Sequence, residues 1–256
     1  MARSPVESTL DNAAAHFQRD GYIVIRDFWT QRQTQCMLEN LQRYVREVMP
    51  SLPAEASMLA DKSNPDSLFR LEKMDLHDDW FERLNHDDRI TSLVRKLLDD
   101  ELVYQRVAFF GKLPRGGEAT PPHQDGYYFK ITPNEAITCW VPLDVTDEAN
   151  GCMRYIPGSH RLPMREHVVS KVYGFSLGID NYGEKDLDEE VAVSAKPGDL
   201  LLHHSMTVHR ADANNSERNR RSLGLVYFAQ RAKRDVAAIE AHQKRMNAEW
   251  AQAGKR

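Results

Sequence analysis

The sequence predicts a mainly β protein, an antiparallel barrel or jelly roll with helices packed around it. Three observations carry that expectation. From Leu102 onward, short runs rich in β-branched and aromatic residues follow one another: "LVYQRVAFFGKL", "AITCWVPLDV", "CMRYIP", "DLLLHHSMTVHRA" and "SLGLVYFAQ". Turn chemistry separates them, at Arg115-Gly116-Gly117, Asn150-Gly151, Pro157-Gly158 and Pro197-Gly198-Asp199, a spacing that suits a closed antiparallel sheet. Before Leu102 the texture is helical, with Met37, Leu41, Tyr44, Val45 and Val48 recurring at helix period.

The elements follow in order. A helix through "LDNAAAHFQRD" is expected to start at Ser8 or Thr9 and to stop at Gly21. Tyr22–Ile25 reads as a short strand. Thr30 and Gln33 fit a capping box for the next helix, which Pro50 and Pro53 close. After a polar connector, "LFRLEKMDL" is compatible with a strand, and a helix is expected from about Asp87 to Leu98. Residues 161–196 are polar and weakly patterned, which suits a lid-like insert over a barrel mouth. A final amphipathic helix is expected over 235–250, with Val236, Ile239, Met246 and Trp250 on one side. The organisation is one domain over 1–256: a largely helical part at 1–100, then a β core at 102–231.

Composition narrows the function classes. The 256-residue chain carries a net charge of −4 and a mean hydropathy of −0.61. Its basic residues are dispersed, so no nucleic-acid footprint stands out. No apolar run approaches the ~20 residues that span a bilayer, and "MARSPVESTLDNAAAHF" lacks the apolar core of a signal peptide. Three cysteines (Cys36, Cys139 and Cys152) form no Cys-x-x-Cys pair, which points to a reducing, cytoplasmic compartment. The expected partner is a small molecule, with no nucleic acid and no membrane.

His-x-Asp occurs three times. At His77-Asp78-Asp79 and His86-Asp87-Asp88 the aspartates sit where a helix begins and are explained as N-cap or first-turn charges. His123-Gln124-Asp125 instead follows a Pro-Pro turn and leads into Tyr127-Tyr128-Phe129. On a strand, residues two apart share a face, so His123 and Asp125 could hold one metal. A facial triad for iron(II) needs a second imidazole, and His203, His204 and His209 are the candidates. Arg220 decides among them. It lies eleven residues after His209, a spacing that lets a strand, loop and return strand bring both into one cavity. Its planar fork suits a carboxylate. His203 and His204 are then left to pack or to support, and Arg221 faces away from Arg220.

Together "HQDGYYF", "CWVPLDVTDEANGCMRYIPGSH" and "KPGDLLLHHSMTVHRADANNSERNRRSL" resemble the phytanoyl-CoA dioxygenase family of iron(II)- and 2-oxoglutarate-dependent oxygenases. The resemblance implies a cupin-like double-stranded β-helix, iron on His123, Asp125 and His209, and 2-oxoglutarate on Arg220, with dioxygen as the other cosubstrate. The cosubstrate pocket maps onto Lys73, Trp140 and Gln105 or Val107, although Lys73 reads equally as a surface lysine and Trp140 as core. The implied reaction is hydroxylation of a C–H bond in a small molecule, with release of succinate and carbon dioxide. Tyr127, Phe129, Arg106 and Phe175 are the candidates for touching substrate; for Arg106 a structural salt bridge is the competing role. The rival class is a catalytically degenerate cupin-like protein that binds metal and ligand without oxidation. A zinc hydrolase on the same three ligands has no use for Arg220.

Overall fold

A computed structural model describes residues 12–53, 56–61, 63–170, 177–241 and 244. Helix α1 (Ala13–Asp20) ends at Gly21, whose φ of 78° lets its N–H reach the Phe17 carbonyl, a left-handed cap that glycine adopts without strain. Asn12 is the N-cap; Ser8 and Thr9 lie outside the described residues. Strand β1 (Tyr22–Ile25) follows, then α2 (Gln31–Arg43) behind the expected Thr30/Gln33 capping box. Strands β2 (Ser57–Leu59) and β3 (Leu68–Leu71) pair with each other. Helices α3 (Asp79–Asn85) and α4 (Asp88–Leu98) are capped by Asp78 and Asp87, the role expected of both aspartates. Ile90, Leu93, Val94 and Leu97 of α4 are buried where that helix lies along the main sheet. Each such side chain contributes about 1.5–3 kcal/mol.

The β core opens with β4 (Leu102–Lys112) and β5 (Thr120–His123), followed by the short helix α5 (Asp125–Phe129). Then come β6 (Ile131–Thr132), β7 (Ala136–Pro142), β8 (Met153–Tyr155), β9 (His167–Val169) and β10 (Leu177–Ile179). Helix α6 (Glu184–Glu189) precedes β11 (Val191–Val193), β12 (Leu200–His204), β13 (His209–Ala211), β14 (Arg220–Ala229) and β15 (Lys233–Arg234). Two sheets face each other. The larger runs β1-β12-β7-β14-β4-β3-β2, and the smaller β11-β8-β13-β5. Tyr22, Trp140 and Leu201 of the larger meet Met153, Tyr155 and Val191 of the smaller in one buried cluster. The larger sheet's other face packs on the helices. All seven residues of β7 are buried because both faces are covered, which explains its unbroken apolar run.

The structure places no boundary near residue 102, because strands from the first hundred residues form both edges of the larger sheet. Helix α3 was not anticipated as a separate element. Tyr127-Tyr128-Phe129 is helical, not a strand. Within 161–196, β11 belongs to the smaller sheet, so the insert-like part ends before Val191. Asp235 caps a helix at 236–241, its carboxylate accepting from the Ala238 N–H at 2.8 Å; most of the rest of 235–250 lies outside the described residues. Among the described residues, no helix is long and apolar enough to cross a membrane.

Candidate metal and cosubstrate site

His209 opens β13, and the register sets it directly opposite His123 at the end of β5. Asp125 comes next to them for a different reason than strand alternation, because the strand stops at His123 and Asp125 is the first residue of α5. Gln124 is the buried hinge between the two. Its side chain turns away, donating to the Met206 carbonyl at 2.8 Å and accepting from the Arg165 N–H at 2.9 Å. The result is a compact donor set: the available ligand atoms of His123, Asp125 and His209 all lie within 4.8 Å of one another.

Local hydrogen bonds aim each donor. Nδ1 of His123 meets the Pro121 carbonyl at 2.8 Å, and Nδ1 of His209 meets the Thr207 carbonyl at 2.9 Å. A carbonyl only accepts, so both Nδ1 atoms carry the proton and both Nε2 lone pairs are left for a metal. Those Nε2 atoms stand 3.5 and 3.8 Å from Asp125 Oδ1. The other carboxylate oxygen, Oδ2, accepts from the Thr138 hydroxyl at 2.6 Å and from His203 Nε2 at 3.2 Å. The Tyr155 hydroxyl in turn donates to His203 Nδ1 at 3.1 Å, and the Tyr155 ring stacks on Tyr22. Burial alone would push the Asp125 carboxyl up, but His123, His203 and His209 outweigh it and hold it well below the usual carboxylate range. Burial, then the neighbouring imidazoles, push His209 well down. The set thus offers one carboxylate oxygen and two imidazole Nε2 atoms, donors that fit a divalent cation.

Arg220, at the start of β14, is only 3% exposed. Its Nε donates to the Gly151 carbonyl at 3.2 Å, and its guanidinium lies 5.4 Å from the Trp140 ring centroid. Among the described residues it has no ion pair, and burial lowers its pKa to about 10. Lys112 of β4 sits opposite it in register. Lys112 is also buried, its ammonium donating to the carbonyls of Glu118 (2.8 Å), Ala211 (3.3 Å) and Asp212 (2.5 Å). Burial and then repulsion from Arg220 push Lys112 down to about 6. A buried guanidinium with no ion pair among the described residues, beside a buried lysine, makes a site for an anion. Arg221, by contrast, faces outward onto Asp144 at 2.7–2.9 Å.

One cavity of about 170 Å³ joins the two halves. His123, Asp125, His209, Arg220, Trp140, Phe129 and Arg106 all line it. Four expected residues do not. Lys73 is exposed on a left-handed turn (φ 54°) beyond β3. Val107 is fully buried in the core on the opposite face of β4, and Gln105 bonds to Arg234 and to the Val103 carbonyl. Tyr127 stacks on His167 at 4.2 Å. The inward face of β4 is Arg106, Ala108, Phe110 and Lys112, one residue out of step with Gln105 and Val107. A shift of one reverses every side chain. Phe175, like Tyr173, lies outside the described residues. None of the described part of 161–196 lines this cavity. Its β9–β10 hairpin instead braces the Gln124 turn, with His167 Nε2 accepting from the Gln124 N–H (3.1 Å) and the Leu177 carbonyl from Tyr128 (2.8 Å). His77 and His86 are exposed and take no part.

Thr138 and Lys112 were not singled out by sequence. A signal existed for both: each shares strand parity with a cavity residue, Thr138 with Trp140 and Lys112 with Arg106.

The family described as Phytanoyl-CoA dioxygenase (PhyH) matches residues 17–222. The chain belongs to the phytanoyl-CoA dioxygenase family. Among its relatives, phytanoyl-CoA dioxygenase domain-containing protein 1 of Danio rerio is 34% identical over 145 residues, 55% of this chain and 50% of its own length. A "Probable alpha-ketoglutarate-dependent hypophosphite dioxygenase" of Stutzerimonas stutzeri is 26% identical over 215 residues, 82% of this chain and 75% of its own. The chain therefore spans half the length of the first relative and three quarters of the second. Among solved structures, the non-haem alpha-ketoglutarate-dependent epimerase SnoN from nogalamycin biosynthesis superposes with a TM-score of 0.70 at 26% identity, over 87% of this chain and 84% of that one. EctD from S. alaskensis shares the fold at 22% identity and a TM-score of 0.70, over 90% of this chain and 78% of that one.

Proposed function

We propose that the protein is an iron(II)- and 2-oxoglutarate-dependent dioxygenase that hydroxylates a C–H bond of a small-molecule substrate, releasing succinate and carbon dioxide. The observation that carries this reading is the pairing, in one cavity, of a His-Asp-His donor set with a buried arginine that has no ion pair among the described residues. His123, Asp125 and His209 would hold the iron. Bound iron(II) would supply dioxygen chemistry, with 2-oxoglutarate as the source of two electrons.

The chain's own residues do the positioning. Because Thr138 and His203 occupy Asp125 Oδ2, only Oδ1 is offered to the metal, which keeps other positions free for cosubstrates. Arg220 takes the far carboxylate of 2-oxoglutarate in a charge-assisted pair, with the Trp140 ring flanking its guanidinium. Phe110, Phe129, Ala108 and Val226 wall the space between and exclude water from the reacting centre. Phe129 and Arg106 are the residues we assign to the substrate side.

The test is succinate formation from 2-oxoglutarate in air. It should require added iron(II) and stop with a chelator. A protein that binds metal and 2-oxoglutarate yet forms no succinate under any condition would be the ligand-binding rival. Turnover that proceeds on zinc without 2-oxoglutarate would be the hydrolase.

A further inference from the structure

We infer that the primary substrate is an organic anion, a carboxylate or comparable oxyanion on an apolar body, held by Arg106 at the end of the cavity away from Arg220. This rests on the dioxygenase reading above and adds the substrate class to it.

The register maps the cavity floor. Arg106, Val226, Thr138 and His203 stand side by side on β4, β14, β7 and β12. Lys112 and Arg220 form a parallel row six residues along β4, roughly 20 Å away. The backbones that carry Arg106 and Arg220 are thus set apart along the sheet. The cavity has two separate cationic ends. Asp125 Oδ2 reaches the Arg106 row, where it accepts from Thr138 and His203. Two strand spacings, about 10 Å, separate the Thr138 backbone from that of Arg106. A small molecule anchored on Arg106 would lay its body over Val226 toward the metal.

Arg70 holds Glu72 Oε1 at 2.6 Å, while Arg106 Nη1 stands 3.6 Å from Oε2. One carboxylate thus meets both guanidiniums. Burial would raise the Glu72 carboxyl, but Arg70 and Arg106 outweigh it and keep it ionised. Among the described residues Arg106 makes no hydrogen bond, although its side chain is only 32% exposed. Its guanidinium lies 5.9 Å from the Phe129 ring centroid, and that of Arg70 lies 5.2 Å from Phe110. The Glu72 contact leaves the Arg106 guanidinium without a hydrogen bond among the described residues, beside the Phe129 ring on the cavity wall. Its uncommitted fork suits an oxyanion, and Phe69, Phe110 and Val226 suit an apolar body. Gly224 keeps the floor low, since a Cβ there would stand 2.8 Å from the Phe110 ring.

The experiment is calorimetry under nitrogen on the full chain loaded with iron(II), titrated first with 2-oxoglutarate and then with 3-phenylpropionate or its neutral amide. The acid should bind at least 10-fold more tightly than the amide. Arg106→Gln, checked as folded by circular dichroism, should weaken the acid by about 10- to 100-fold, the worth of a hydrogen bond to a charged group. It should leave the amide unchanged, and Arg106→Lys should recover part of the loss. Acid and amide binding alike, neither binding, or an Arg106→Gln protein that treats the acid as wild type does would overturn the inference alone. Failure of 2-oxoglutarate to bind in the first titration would overturn the dioxygenase reading and this inference with it.

Discussion

The metal donors and Arg106 are built on opposite plans. At the metal end the groups that aim the donors are committed to one another: His123 to Pro121, His209 to Thr207, and Asp125 Oδ2 to Thr138 and His203. Arg106, by contrast, holds no hydrogen bond among the described residues and meets Glu72 at 3.6 Å. A reacting centre must be fixed before its ligands arrive, because reorganisation during reaction costs rate. A recognition group must keep donors uncommitted for its ligand. The contrast separates what the fold supplies to the reaction from what it reserves for the substrate.

The strongest way to break this comparison lies at Arg220, which is buried and has no ion pair among the described residues. Arg220→Ala should weaken 2-oxoglutarate binding by roughly 30- to several-thousand-fold, the range for losing a buried charge-assisted pair. Arg220→Lys should recover only part, since an ammonium lacks the fork. Arg221→Ala should leave the affinity unchanged, because that guanidinium is spent on Asp144. The reverse pattern in calorimetry would mean that the cosubstrate sits elsewhere.

A smaller effect is expected behind Asp125. Thr138→Val or His203→Ala frees Oδ2, and iron(II) affinity should fall about 10- to 100-fold, as is typical when an outer partner of a ligand is lost. Thr138→Ser should restore most of it. A metal affinity indifferent to both substitutions would show that the carboxylate needs no such anchoring.

The smallest effect concerns Lys112. Burial and Arg220 hold it at about 6, so at pH 7 it is largely neutral in the free protein. A 2-oxoglutarate carboxylate on Arg220 offsets that repulsion and raises the lysine's pKa. Binding at pH 7 should then take up a fraction of a proton, and affinity should rise as pH falls from 8 toward 6. Calorimetry in buffers of different ionisation heat measures this directly. Lys112→Met should abolish the uptake, and an unchanged proton count in that variant would assign it to another group.

The same contrast decides what was legible in the sequence. His123, Asp125, His209 and Arg220 could be found because their chemistry is rare on a strand and their spacing is tight. The parity of β4 resisted. In "LVYQRVAFFGKL" Val107 and Phe109 enter the core while Ala108 and Phe110 enter the cavity. Both faces of that strand are covered, so no polar alternation fixes its parity, and the sequence offers Gln105 and Val107 for the cosubstrate pocket beside Arg106 for the substrate, although only Arg106 of the three lines the cavity. Tyr127-Tyr128-Phe129 has strand composition but forms one helical turn, ended by Lys130 at φ 50°. Tertiary contacts override propensity there, with Tyr128 tied to Leu177 and Tyr127 stacked on His167. Lys73 leaves the site through a left-handed turn that nothing in "RLEKMDL" announces.

The central claim is that one iron(II) sits on His123, Asp125 and His209. Its most direct test is an anaerobic iron(II) titration of the wild type, His209→Ala and His77→Ala. The account predicts one iron per chain in the wild type and in His77→Ala, and no tight binding in His209→Ala. Full-strength binding in His209→Ala, or its loss in His77→Ala, would contradict it.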